Sequence, residues 1–264
     1  MNGSQTANVR FGVTFPVHPG RVSAPFTVVS MIELAVLDMA GTTIDDGGAV
    51  YRALEEAVVG AGATVDATDL QTWMGTDKVT AITALLRLGG RGDAQPTDEV
   101  VATAFAHFKA VLAASYASSP PVALPGVPEA LATLRGRGIK VVLTTGFDRE
   151  VAMGILGVLG WTVGEDARAT LDAVVTTSDV PAGRPAPYLI HHAMELTGVT
   201  DVRRVLAAGD TVVDVEAARN AGVIAVGVLT GQVSRASLEA VSHDHVLPGV
   251  VELPALPECA ATAS

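Results

Sequence analysis

Asp38, Asp210 and Asp214 are the residues whose types and spacing most directly permit chemistry. Asp38 follows the apolar run 32–37 in DMAGTTID, and the other two stand one helical turn apart in GDTVVD. A carboxylate can attack phosphorus and become an aspartyl phosphate, provided that the repulsion between two anions is offset. A magnesium ion held by Asp38, the backbone carbonyl of Ala40 and Asp210, with Asp214 reaching it directly or through water, would supply that positive charge in an all-oxygen site. The Thr145 hydroxyl and Gly146 amide in LTTG are suited to phosphoryl oxygens, and Arg184 in GRPAP adds a permanent charge. Singly, each feature reads as a helix cap, a turn or a strand end. Their joint appearance points to phosphoryl transfer.

The elements that must position these residues are legible as hydrophobic periodicity. Five short β-branched runs recur, at 33–37, 139–143, 172–176, 204–208 and 223–229. Helical patterns at 127–135, 149–159, 187–196 and 212–221 alternate with the later four, the βα order of a parallel sheet covered on both faces. A doubly wound α/β core is therefore expected, with every chemistry-bearing feature at the strand ends where open α/β sheets bind ligands. The interval between the first two runs differs, because it holds helix patterns at 50–59, 69–74, 77–88 and 98–115 and no convincing strand. It reads as an inserted helical domain, with Thr76 as the expected N-cap of its third helix. The expected organisation is a disordered extension at 1–30, a core of 31–47 and 121–254, a helical insert of 48–120 and a tail of 255–264.

The 264 residues carry a net charge of −11 and no basic run, which argues against a nucleic-acid surface and favours a small-molecule substrate. Cys259 is the only cysteine, so no intrachain disulfide is possible and a reducing cytoplasm is expected. The first thirty residues lack the apolar stretch of a secretory signal, and no membrane span is expected. His191–His192 and His243–Asp244–His245 lack a convincing metal spacing, and Trp73 and Met153 are read as core residues.

DMAGTTID, LTTG, GRPAP and GDTVVD, in that order, make the chain from about Met31 to Leu253 resemble the haloacid dehalogenase superfamily. The resemblance implies a Rossmann-like core with a mobile helical cap inserted after the first motif. The Asp210–Asp214 pair favours the magnesium-dependent phosphoryl-transfer branch. Most phosphatases of the superfamily carry a second Asp where this chain has Ala40, to protonate a leaving oxygen. Alanine can do no such thing, so either the enzyme is dead or the leaving group is not an oxygen. A carbon leaving group needs an electron sink instead, which a lysine imine provides.

WMGTDKVTAI contains a candidate imine former, Lys78, near the start of a helix, where the dipole lowers an amine's pKa and adjacent Asp77 opposes it. By itself such a lysine reads as solvated. The phosphonatase branch of the superfamily, however, has alanine at the Ala40 position and an MGxxK cap motif matched by Met74, Gly75 and Lys78, and its GTT, TTG, DVPAGRP and GDT…D…RNAG strings recur here. The resemblance implies Lys78 as Schiff-base lysine, substrate contacts at Thr42, Met74, Gly75 and Gly146, and a homodimer through the cap. It departs at Ala81 and Phe147, where that branch has a histidine and a tyrosine tied to proton relay. His107 on a cap helix is a weak alternative for that role. The leading expectation is a Mg2+-dependent hydrolase of a small β-carbonyl phosphonate. The alternatives are a phosphatase for a small phosphate ester, with Asp45 or a cap residue as its acid, and a non-catalytic protein that binds a phosphorylated ligand.

Overall fold

The computed structural model describes residues 32–90 and 95–260, and the extension expected over 1–30 lies outside the described residues. Strand β1 (Leu34–Asp38) is followed by β2 (Ile44–Asp45), helices α1 (Ala49–Gly60), α2 (Ala67–Thr72), α3 (Lys78–Gly89) and α4 (Asp98–Ser118), and β3 (Val122–Ala123). Then come α5 (Val127–Gly136), β4 (Lys140–Thr144), α6 (Arg149–Leu159), β5 (Ala173–Val175), α7 (Tyr188–Thr197), β6 (Val205–Gly209), α8 (Val212–Ala221), β7 (Ile224–Val228), α9 (Arg235–Glu239) and β8 (His245–Leu247). Six strands form a parallel sheet in the order β5-β4-β1-β6-β7-β8.

All five residues of β1, LAVLD, are buried, because helices cover both faces of the sheet. Ala35 and Leu37 join the apolar cluster under α5 and α6, and Leu34 and Val36 the cluster under α7 and α8. The first expected run, 33–37, is displaced by one residue, because Asp38 pairs with Thr144 and is drawn into the ladder. That register sets the two polar residues side by side at the sheet's C-terminal edge. The edge strand β8 was not anticipated. It is three residues long and only half-buried, too short to show a pattern.

Helices α1 to α4 leave and rejoin the core through a two-stranded antiparallel ribbon, Ile44 opposite Ala123 and Asp45 opposite Val122. Helix α4 lies along α1 and α3 with Val101, Ala104, Phe108 and Leu112 turned inward. By length and composition alone α4 is apolar enough to cross a membrane, which the sequence reading did not anticipate. The N-cap of α3 is Asp77, whose side chain accepts from the Thr80 amide, and not Thr76. The Thr76 hydroxyl donates to the Trp73 carbonyl at 2.7 Å instead.

The expected tail packs on the core as far as Ala260. The Ile32 amide donates to the Glu258 carbonyl at 3.0 Å, Arg137 donates to the Cys259 carbonyl at 2.9 Å, and the Cys259 side chain is buried. Met153, expected in the core, is exposed on the outer face of α6, whereas Trp73 packs against the core cluster.

Candidate active site

The C-terminal edge of the sheet and the helical unit above it enclose a cavity of 220 Å³. Asp38, Ala40, Met74, Gly75, Lys78, Thr145, Gly146, Arg184 and Asp210 all line it, so residues spread over the whole sequence meet around one volume. Two expected site residues do not. Asp214 lies behind the wall, with one carboxylate oxygen on the Arg184 guanidinium at 2.9 Å and the other taken by the Thr211 hydroxyl and amide. Thr42, expected to contact substrate, is fully buried and donates to Asp210 at 2.9 Å, so it orients a carboxylate instead.

Arg184 is the hub of the core half of the site. Its guanidinium lies 2.7 Å from Asp38 and 2.9 Å from Asp214, and it donates to the Thr144 hydroxyl at 2.7 Å. Such a bidentate fork holds two carboxylates at fixed angles, which a lysine ammonium would not. Even so the charges do not balance. Oxygens of Asp38, Asp210 and Asp214 fall within 4.8 Å of one another, and all three residues are buried. Burial, followed by the nearby Asp214 and Asp38 charges, pushes the Asp210 carboxyl well above the usual carboxylate range. Burial also raises Asp38 to about 6, with Arg184 pulling it back. An all-oxygen set with excess negative charge fits a hard divalent cation such as Mg2+.

Lys78 heads α3 and is only 6% exposed. Its amine has just three neighbours of note: the Thr76 carbonyl at 3.3 Å, the Met74 sulfur at 4.0 Å and the Phe147 ring, 5.9 Å to the centroid. Among the described residues no carboxylate pairs with it, and burial brings it down to about 8, against which Asp38 and Asp77 push upward. Phe147 and Ala81 are buried beside it and offer no polar group. The loop carrying Met74 and Gly75 seats directly on the core. A Cβ at Gly146 would meet the Thr76 carbonyl at 2.6 Å, and one at Gly75, where φ is +87°, would meet the Thr211 hydroxyl at 2.5 Å. Only glycines let the two halves approach this closely.

His107 is exposed on α4 against Gly60 and does not line the cavity. The paired histidines form no metal cluster among the described residues. His191 faces the Ala221 carbonyl at 3.2 Å and His245 faces Glu258 at 3.3 Å. The sequence reading missed Tyr51, which faces the cavity from α1, and Thr211, whose capping box with Asp214 was visible as T-x-x-D. Tyr51 carries no local signal.

The profile of the haloacid dehalogenase-like hydrolases matches residues 32–222. The chain belongs to that family and is a hydrolase. Within the family it is similar to phosphonoacetaldehyde hydrolase from Bacillus cereus, with 36% identity over 211 residues, 76% of each chain. Among solved structures, a hydrolase from Pseudomonas syringae superposes with a TM-score of 0.72 at 23% identity, covering 84% of this chain and 95% of that one. A phosphonoacetaldehyde hydrolase-like protein from Oleispira antarctica superposes at 0.69 with 21% identity, covering 89% and 95%. Both share the fold.

Proposed function

We propose that this hydrolase cleaves the carbon–phosphorus bond of a small β-carbonyl phosphonate such as phosphonoacetaldehyde. The observation that carries the reading is a buried amine, with no counter-ion among the described residues, sharing one cavity with a buried carboxylate. At neutral pH an amine brought down to about 8 keeps a usable neutral fraction, and its lone pair condenses with the substrate aldehyde, releasing water. The Asp38 carboxylate attacks phosphorus, the C–P bond breaks, and its electron pair moves into the iminium to give an enamine on Lys78. Protonation of the enamine carbon and hydrolysis of the imine return acetaldehyde and free lysine. Water cleaves the aspartyl phosphate to phosphate and Asp38.

Arg184, the Thr145 hydroxyl and the Gly146 amide hold the phosphonyl oxygens. Asp38, the Ala40 carbonyl and Asp210 would hold Mg2+, with Asp214 reaching it directly or through water from behind them, and when bound the ion supplies the positive charge that lets two anions meet. Met74 and Gly75 shape the pocket around the amine. Residues 48–120 act as a cap that closes over the substrate and excludes water. A single cysteine, which permits no intrachain disulfide, supports a reducing cytoplasm as the setting of this reading.

Release of acetaldehyde and phosphate from phosphonoacetaldehyde with Mg2+ tests the reading. Wild type turns over, and Lys78→Ala loses activity by roughly a thousandfold or more while keeping its fold. Equal turnover by the variant would sink the imine mechanism. Phosphate-ester hydrolysis indifferent to Lys78 would favour the phosphatase alternative, for which Asp45 lines the cavity.

A further inference from the structure

The proposed imine chemistry needs one more group. When the Lys78 nitrogen adds to the aldehyde, the C=O electron pair moves onto oxygen, and this developing alkoxide requires a hydrogen-bond donor before it takes a proton and leaves as water. Few cavity-lining side chains are free to act. Asp38 and Lys78 form covalent bonds in this scheme, and Arg184 is engaged by two carboxylates and Thr144. Both oxygens of Asp46 cap α1, accepting from Gly48 and Val50 at 2.9 Å each, and Asp45 is exposed. Thr145, Gly146 and Asp210 belong to the core side, where the phosphonyl group binds. Thr211 is committed to Asp214, Thr230 donates to the Gly41 carbonyl and Gln232 is exposed, which leaves Tyr51; it projects from α1, which packs on the helix carrying Lys78.

Tyr51 is aimed by a second residue. Its hydroxyl donates to Gln71 Oε1 at 3.1 Å, while Gln71 Nε2 is buried with no partner among the described residues. Turned over, the same amide would donate from Nε2 to the tyrosine oxygen and release the phenolic proton toward the cavity. Burial and the surrounding carboxylates push this phenol up to about 12, so it stays a neutral donor at any working pH.

We propose that Tyr51, oriented by Gln71, is the catalytic donor that binds the substrate's carbonyl oxygen opposite Lys78. This rests on the C–P cleavage reading above. As the N–C bond forms, the Tyr51 O–H stabilises the alkoxide. The ammonium proton then reaches that oxygen, giving a carbinolamine, whose C–O bond breaks with uptake of one proton from solvent, so that water departs and the iminium remains. Tyr51 keeps its own proton throughout, so the one proton consumed comes from solvent and no oxidant is needed. Gln71 is a positioning residue.

The test is cyanoborohydride trapping of phosphonoacetaldehyde on the Mg2+-loaded enzyme, read as the rate of mass gain at Lys78, beside competitive inhibition by inorganic phosphate. Tyr51→Phe is expected to slow trapping by roughly 100-fold with phosphate inhibition unchanged, because phosphate has no carbonyl. Gln71→Leu, which leaves the hydroxyl in place but unaimed, is expected to give a smaller loss of the same kind. Trapping by Tyr51→Phe at the wild-type rate overturns the assignment and leaves the imine mechanism standing. Weakened phosphate inhibition in parallel with slower trapping overturns it too, by moving the hydroxyl to the phosphonyl group. A wild type that gains no mass at Lys78 removes the imine mechanism and this donor together.

Discussion

Asp38 on the sheet and Lys78 on the helical unit line one cavity at nearly the same depth, 8% and 6% exposed, yet their surroundings treat them in opposite ways. The carboxylate is clamped by a guanidinium at 2.7 Å within a cluster whose negative charge still exceeds the positive. The amine is given a carbonyl, a thioether and an aromatic ring, none of which can neutralise a cation. Burial pushes both groups toward their neutral forms, and the partners set how far each one goes. The clamped carboxylate, raised only to about 6, stays anionic at neutral pH and attacks phosphorus. The unpaired lysine, brought down to about 8, keeps a neutral fraction that is a nucleophile for carbon.

Separating the two halves is the sharpest way to test that contrast. Asp38→Asn should reduce phosphate release by roughly a thousandfold or more, yet leave Lys78 able to form its trapped adduct with the aldehyde. Loss of both would mean the halves are not chemically independent. On the core side, Arg184→Ala strands two buried carboxylates and should cost roughly 3–5 kcal/mol in urea unfolding. Saturating Mg2+ should recover part of that loss by restoring positive charge, and no recovery would break the idea that charge compensation holds this half together.

The cap side predicts the opposite sign. Lys78→Met should stabilise the protein by about 1–3 kcal/mol at pH 7, because it removes an unpaired buried amine of depressed pKa. The amine titrates near 8 when folded and 10.5 when free, so between those values the unfolded chain binds more protons. Wild-type stability from this group then rises with pH across that window, and the advantage of the methionine variant shrinks. The trapping rate at Lys78 should likewise climb with pH and level off above about 8. A flat profile from pH 6 to 9 would mean the amine is not the titrating group.

Much of the core was legible before any coordinates, because strands buried on both faces appear as continuous apolar runs and their helices as clean 3.6-residue patterns. Helices α6 and α8 fall on their expected residues. Asp38, Arg184, Asp210 and Lys78 could be singled out because they stand in short strings whose order carries meaning. Thr42 was placed in contact with substrate because its string says nothing of which way the side chain turns. Tyr51 and Gln71 were invisible for a related reason: they lie twenty residues apart on two amphipathic helices, and neither spacing nor motif links them.

The chain order of the motifs and the alternation of β and α patterns thus determined the family, the sheet and the pole at which chemistry is gathered. The tertiary structure decided the rest: that Arg184 bridges Asp38 and Asp214, that Lys78 has no paired carboxylate among the described residues, and that Tyr51 lines the same cavity from another helix. Local sequence sets backbone propensity and burial period, but the field at a side chain is a sum over neighbours remote in sequence, and only the packed fold brings them within reach.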